Sequence, residues 1–369
     1  MTRLKIVHTE SSCGWGGQEL RIIAESQGMM SRGHEVCIVA PPESRIFSEA
    51  RRRGIPAHTA PITRKSLRGL LGLRRFLAQR TIDVVNCHSS TDSWLTALAL
   101  RTLPRAPRLV RTRHISSPIP GNPATRWLFR TATAHVVTTG ERLREQVVRE
   151  TGLEAERVSS IPTGIDLAHF APGDRRAACA RLGLPLNAFV IGIVATLRSW
   201  KGHRYLVDAV AGARDPDWRL IMVGDGPGAE NLRAQVAALG IADQVSMPGN
   251  QDDVLPWLQA LDVFVLPSYA NEGIPQAIMQ AMACRIPVVT TPVGAIGEIV
   301  RDGETGLMVE PQNAGALRGA LRRLNQDPGL RERLAHKGYE FARSGFALER
   351  MLERMEAVFS SVAAGPETR

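Results

Sequence analysis

Short apolar runs alternate with stretches of helical spacing along almost the whole chain. In the first half the runs Leu4–His8, Glu35–Ala40, Ala57–Pro61, Asp83–His88, Arg108–His114 and Ala134–Thr139 have the length and bulk of buried strands. Gly17–Arg32, Ser66–Gln79 and Glu141–Glu150 separate them and repeat their apolar residues at helical intervals. A break follows at Ile161–Asp166 and Pro172-Gly173, and the alternation restarts with Phe189–Thr196, Trp218–Gly224, Val245–Met247, Asp262–Leu266 and Pro287–Thr291. Such alternation predicts an α/β chain with parallel sheets covered by helices on both faces. A chain of 369 residues is long for one core. We therefore expect two tandem Rossmann-like domains, 1–166 and 167–345, followed by a tail, 346–369, with Phe346, Met351, Leu352, Met355, Val358 and Phe359 at helical spacing. Two open parallel sheets in tandem would put their strand ends, where ligands bind, across a cleft.

The most informative stretch is Ser268–Ala283, after the strand-like Asp262–Pro267. Beyond Gly273 and Pro275 the spacing turns helical, with Ile278, Met279 and Met282 on one side and Pro275 near the first helical position, where proline is tolerated. This reads as strand, loop, helix, a junction that aims free N–H groups and the positive dipole end at a phosphate or sugar oxygen. Glu272 stands in the loop, outside the expected core, and Gln276 and Gln280 share one helix face. A lone Glu-Gly-x-Pro would be better read as an ordinary helix cap. Ser268, Glu272, Gly273, Ile274 and Pro275 together resemble the signature of family 4, the retaining nucleotide-sugar glycosyltransferases of GT-B fold. The resemblance implies that Glu272, with the amides of Gly273 and Ile274, holds the donor sugar. The family's second Glu, which holds the ribose, is replaced here by Gln280, whose amide can bond a diol without charge assistance.

Other loops extend the resemblance over nearly the whole chain. Pro162–Asp166 is similar to the family's interdomain motif, and its last helix crosses back to the first domain, which is the job expected of the tail. Gly16 and Gly17 follow the first strand and let backbone approach a ligand closely. A tight turn would need the same residues, but they look like the family's Gly-Gly loop near donor phosphate and acceptor. His114 ends its strand where the family places a His that reaches the donor sugar, and His88 is a parallel candidate. Val194–Gly202 resembles the family loop whose Arg and Lys clamp the donor diphosphate. Lys201 matches, Thr196 falls at the Arg position, and Arg198 two positions on is assigned the contact. Two cations would serve a diphosphate leaving group without a metal. Val223–Ala229 has formal dinucleotide spacing, but Pro227 interrupts the turn and the motif follows the second strand of its domain. It resembles the family's Gly-x-Gly-Pro, which assigns Gly224 and Gly226 to the nucleotide. Asp252-Asp253 is not the Asp-x-Asp of metal-dependent transferases.

Composition narrows the picture. With 44% hydrophobic residues the chain is ordinary and globular. We find no signal peptide and no apolar run long enough to span a bilayer. Five scattered cysteines with no Cys-x-x-Cys fit reduced thiols rather than a disulfide frame or zinc site. Charge is uneven: residues 1–166 hold 25 Lys+Arg and 14 Asp+Glu, a net +11, whereas 167–369 hold 21 and 22, a net −1. Six of the basic residues (Arg64, Lys65, Arg68, Arg74, Arg75, Arg80) share an acid-free stretch with six apolar ones, a basic amphipathic helix. Its leucines are expected to pack on the sheet, leaving electrostatic attachment to an anionic membrane surface. A merely solvated Arg face fits the same charge. No nucleic-acid motif accompanies it, so nucleic acid is not expected as a partner.

The resulting expectation is a cytoplasmic, metal-independent, retaining glycosyltransferase, peripheral on the cytoplasmic face of the inner membrane. It would need no cofactor beyond the nucleotide-diphosphate sugar it consumes. The acceptor expected is a glycan or lipid-linked glycan in cell-surface polysaccharide or lipopolysaccharide synthesis. Two rivals stay open: a GT-B relative with epimerase or phosphorylase chemistry, and a non-catalytic module that binds glycan or anionic lipid.

Overall fold

The computed structural model describes residues 2–270 and 272–365. The chain divides into two units, Met1–Gly164 with Glu349–Arg369, and Ile165–Leu348. In the first unit the strands are β1 (Lys5–Thr9), β2 (Glu35–Ala40), β3 (Ala57–Thr59), β4 (Val84–Cys87), β5 (Arg108–Arg113), β6 (His135–Thr138) and β7 (Val158–Ser160). They form one sheet in the order β3-β2-β1-β4-β5-β6-β7, and every neighbouring pair is parallel. Helices cover both faces, so the strands read as near-continuous apolar runs: Ile6, Val7, Ile38, Val39, Val84, Val85, Val136 and Val137 are all buried. β3 stops at Thr59, short of the expected Pro61, because proline has no N–H for the ladder. The three-residue β7 is too short to show a period in the sequence.

The basic helix spans Leu67–Ala78, and Ser66 caps it by accepting from the Gly69 amide at 3.1 Å. Leu73 and Leu77 are buried, but Leu67 and Leu71 are 69% and 55% exposed, which corrects the expectation that the leucines pack on the sheet. The reason is the helical period: Leu67 and Leu71 lie one turn apart on a face of their own, and the inward face is completed by Gly69, where a Cβ would come within 2.8 Å of the Pro61 carbonyl.

The tail helix, Leu348–Ala364, buries Met351, Leu352, Met355 and Phe359. Leu352 fills the space a Cβ on Gly28 would need, and Arg32 pairs with Glu349 at 2.7 Å and Glu356 at 2.8 Å. Phe346, read with this helix, lies just before it.

The second unit holds β8 (Phe189–Val194), β9 (Trp218–Val223), β10 (Val245–Gly249), β11 (Val263–Leu266), β12 (Val288–Thr290) and β13 (Leu307–Met308), parallel in the order β10-β9-β8-β11-β12-β13. The helix after β11 is Gln276–Ala283, with Ile278, Met279 and Met282 in the core. Pro275 is its extended capping residue rather than part of the first turn. No helix among the described residues is long and apolar enough to cross a membrane.

Candidate active site

In the second unit the strand order reverses between β8 and β11, and the loops leaving their C-terminal ends meet. The β8 loop ends in a tight turn, Ser199–Lys201, closed by Gly202 at φ +78°. A Cβ on Gly202 would sit 2.0 Å from the Pro267 carbonyl oxygen, so only glycine lets the two loops touch. The Tyr269 amide donates to the Trp200 carbonyl at 2.8 Å. This lacing brings Lys201 Nζ to 2.7 and 3.0 Å from the two carboxylate oxygens of Glu272, and Ser268 Oγ donates to Glu272 Oε1 at 2.5 Å. Glu272 is buried, which corrects the reading of a loop residue outside the core. An acid goes inside when its charge is paired and its oxygens bonded, as here. Behind it, Gly294 at φ +60° passes so close that a Cβ would meet the Glu272 carbonyl at 2.1 Å. Arg198 is exposed, with its guanidinium 5.1 Å from the centre of the Trp200 ring.

Gly224 and Gly226, at φ +139° and +155°, face the backbone of this same β8 loop. A Cβ would come within 2.1 Å of the Ala195 carbonyl oxygen from Gly224 and 2.9 Å of that of Leu197 from Gly226. Leu197 N donates to Asp225 O at 3.0 Å and Gly228 N to Leu197 O at 2.8 Å. The glycine loop thus braces the segment that carries Arg198 and Lys201. Ile274 is buried, whereas Gly273 and Gln280 are half-buried.

In the first unit the order reverses between β1 and β4. Gly16 and Gly17 open the helix Gly17–Ser31, Gly16 as its extended cap. Ahead of them stands Glu10, which sequence reasoning passed over. It accepts from the Ser12 amide at 2.7 Å, from Ser89 Oγ and from Gln18 Nε2. Asp92 is buried nearby, accepting from Thr9 Oγ1 at 2.7 Å and from the amides of His88, Ser89 and Ser93. Burial, with Asp92 beside it, pushes Glu10 up to about 8, and burial pushes Asp92 up to about 6. The signal for Asp92 lay in Ser89-x-x-Asp92, a capping box that the structure realises.

His88 and His114 line a cavity of about 450 Å³ at the ends of β4 and β5. Lys65, Arg111 and Arg113 share the lining, and among the described residues no Asp or Glu does. Arg111 is stacked 4.2 Å from the centre of the Phe129 ring, and burial lowers it to about 10. His114 bonds His88, and His88 bonds His8, each at 3.0 Å. Burial holds all three imidazoles below their ordinary value, His8 at about 3 with Arg21 adding to the effect, so they are neutral near pH 7. Among the described residues no group of three or more His, Cys, Asp or Glu side chains is placed to hold a metal ion.

Two parallel-sheet units of this kind, each with its loops gathered at the strand ends, define the GT-B class of glycosyltransferase fold. Residues 15–169 match the family model described as Glycosyltransferase Family 4, and residues 174–341 match the model described as Glycosyl transferases group 1. Among solved structures the chain is similar to a glycosyltransferase from Rickettsia africae ESF-5, with TM-score 0.87 and 20% identity over 99% of this chain and 100% of that one. It is also similar to Anabaena Alr3699/HepE in complex with UDP-glucose, with TM-score 0.85 and 22% identity over 97% of this chain and 100% of that one. A D-inositol 3-phosphate glycosyltransferase of Streptomyces bingchenggensis is 35% identical over 217 residues, 55% of this chain and 48% of that relative. The chain spans about half the length of the first curated relatives it matches.

Proposed function

We propose that this protein is a retaining, metal-independent glycosyltransferase that moves a sugar from a nucleotide-diphosphate sugar to a hydroxyl of its acceptor. The observation that carries the reading is the clasp of Lys201 on Glu272 at the strand-order reversal of the second unit, with Arg198 beside it. Lys201 and Arg198 supply the positive charge that a departing diphosphate needs. Glu272, with the amides of Gly273 and Ile274, holds hydroxyls of the transferred sugar, Gln280 holds the ribose, and His114 contacts a sugar hydroxyl. Gly224 and Gly226 keep the cationic loop in place. Both oxygens of Glu272 are engaged by Lys201 and one also by Ser268, which favours a positioning and electrostatic role over a nucleophile. The leaving phosphate oxygen then takes the acceptor proton on the same face, and configuration is kept.

Binding of UDP-glucose by the similar Anabaena protein supports a nucleotide-diphosphate sugar as donor. For the acceptor, the relatives named for inositol 3-phosphate support a phosphorylated polyol. The acid-free cavity with Lys65, Arg111 and Arg113 suits any acceptor that carries a phosphate, including a lipid-linked glycan of cell-surface polysaccharide or lipopolysaccharide synthesis. The helix Leu67–Ala78, with Leu67 and Leu71 exposed among Arg68 and Arg75, supports docking on an anionic membrane from the cytoplasmic side, by shallow insertion as well as charge. Salt-sensitive sedimentation with anionic vesicles, weakened in Leu67→Ser/Leu71→Ser, is the expected result, and binding indifferent to salt and lipid charge refutes the docking. The donor half is tested by thermal unfolding with UDP, GDP, ADP and their sugars. A ligand held well above its dissociation constant should add about 2–4 kcal/mol, and a shift with none of them refutes it.

A further inference from the structure

Three imidazoles cross the sheet of the first unit on a diagonal, and the reading above uses only the last. His8 Nδ1 is 3.0 Å from His88 Nε2, and His88 Nδ1 is 3.0 Å from His114 Nε2, with ring centroids 5.2 and 5.3 Å apart. Parallel register produces the diagonal. His8 lies opposite Asn86, and Asn86 opposite Val110. His88 is two residues beyond Asn86, and His114 four beyond Val110, so each ring stands one same-face step nearer the C-terminal ends. At the inner end His8 Nε2 lies 4.0 Å from Glu25 Oε1, with Phe359 against the ring at 6.3 Å. Glu25 is fully buried, accepts from Asn86 Nδ2 at 3.3 Å, and faces Arg21 Nε at 3.5 Å. Burial raises the Glu25 carboxyl above its ordinary value, and Arg21, also fully buried and permanently charged beside it, together with the bond from Asn86, opposes that rise and favours the carboxylate. At the outer end His88 and His114 line the cavity.

A neutral imidazole has one N–H and one lone pair, and each contact between rings needs one of each. The choice at one ring therefore sets all three. In one arrangement every proton is on Nε2: His8 points its N–H at Glu25, and His114 is left with a bare Nδ1. In the other every proton is on Nδ1: His8 turns a lone pair toward the carboxylate, and His114 ends as a donor. A lone pair facing an anion in a dry interior is the unfavourable choice.

We propose that Glu25, His8 and His88 are positioning residues that hold His114 as the Nε2–H tautomer, so that its Nδ1 accepts a hydrogen bond from a substrate hydroxyl at the cavity. Such an acceptor selects an O–H and disfavours an anionic oxygen, so this ring would read the sugar or polyol part of a substrate while Lys65, Arg111 and Arg113 take the charge. The identity of the hydroxyl rests on the transferase reading; the tautomer does not.

The test is long-range proton–nitrogen NMR on the full chain labelled with nitrogen-15 in histidine, with His114→Gln to assign the ring. The wild type should show His114 protonated at Nε2 and bare at Nδ1. Glu25→Gln offers His8 a donor in place of the carboxylate and should raise the Nδ1–H fraction at His114 at least about fivefold; His8→Phe, which cuts the chain, should do the same. In a transfer assay Glu25→Gln should lower kcat/KM about tenfold, the worth of one hydrogen bond. His114 protonated at Nδ1 in the wild type, or unchanged in a folded Glu25→Gln or His8→Phe protein, overturns the proposal. Should neither variant fold, the wild-type tautomer decides alone: Nε2–H supports it and Nδ1–H overturns it. Failure of the protein to turn over any donor would refute the transferase reading and leave the tautomer readout standing.

Discussion

Replacing Glu272 by alanine tests the clasp at the second unit's site. The carboxylate receives Lys201 at 2.7 and 3.0 Å and Ser268 Oγ at 2.5 Å. Two unit charges at that separation attract by about 6 kcal/mol at an effective dielectric constant near 20, and dehydrating both groups offsets most of it. Removing one partner does not recover that dehydration. For a deeply buried pair the cost is about 3–5 kcal/mol. The Lys201 side chain keeps 21% of its surface in water, which places Glu272→Ala near the lower end, at about 2–3 kcal/mol. Lys201→Ala with Glu272→Ala should recover part of this, a coupling of about 1–2 kcal/mol. Urea unfolding followed by a probe in the second unit measures the stabilities, because a two-unit chain does not guarantee a single transition. In the transfer assay Glu272→Ala should cost at least about a hundredfold in kcat/KM, and Glu272→Gln, which still accepts from Ser268, should lie between. A Glu272→Ala protein within 0.5 kcal/mol of wild type, with no coupling to Lys201, would refute the clasp, and normal turnover would refute the site.

Gly224→Ala should destabilise the second unit by about 3 kcal/mol and weaken nucleotide binding about tenfold, since the new Cβ would press on the Ala195 carbonyl in the loop leading to Arg198; unfolding and calorimetry check this. Glu10, raised to about 8 in the folded chain, binds its proton more tightly there than when unfolded, so its contribution is complete at acidic pH and is lost as pH rises from about 4.5 through 8. Glu10→Gln should flatten that decline in a pH series of denaturation midpoints, and an unchanged slope would contradict the raised value. Gln280→Glu should tighten nucleoside diphosphate binding about three- to tenfold by charge assistance to the ribose diol, read by calorimetry, and no change would remove Gln280 from the ribose role.

All the strands but the short β7 and β13, and the loop after β11, were legible because their signals are local: apolar runs of strand length, a Gly and a Pro at a junction, a lysine before a left-handed glycine. What was hidden depended on sheet order. Lys201 and Glu272 are 71 residues apart and meet only because β8 and β11 are neighbours. His8 reads as an unremarkable end of the first strand until β1, β4 and β5 lie side by side. Glu10 hides for the same reason, whereas Asp92 carried a local signal, the capping box Ser89-x-x-Asp92. The glycines of Val223–Gly228 were legible as a tight loop, but the backbone they press against is not nearby in sequence. The outward turn of Leu67 and Leu71 follows from helical phase, yet which face meets the sheet depends on Gly69 against Pro61, a contact from outside the helix.

The most direct measurement is proton NMR of a transfer reaction run in EDTA, with UDP-, GDP- and ADP-sugars offered in turn alongside a phosphorylated polyol or a lipid-linked glycan. One donor should give nucleoside diphosphate together with a product that keeps the donor's anomeric configuration, at a rate EDTA does not change. Inverted product, turnover that EDTA abolishes and manganese restores, or no nucleoside diphosphate from any donor would contradict the account.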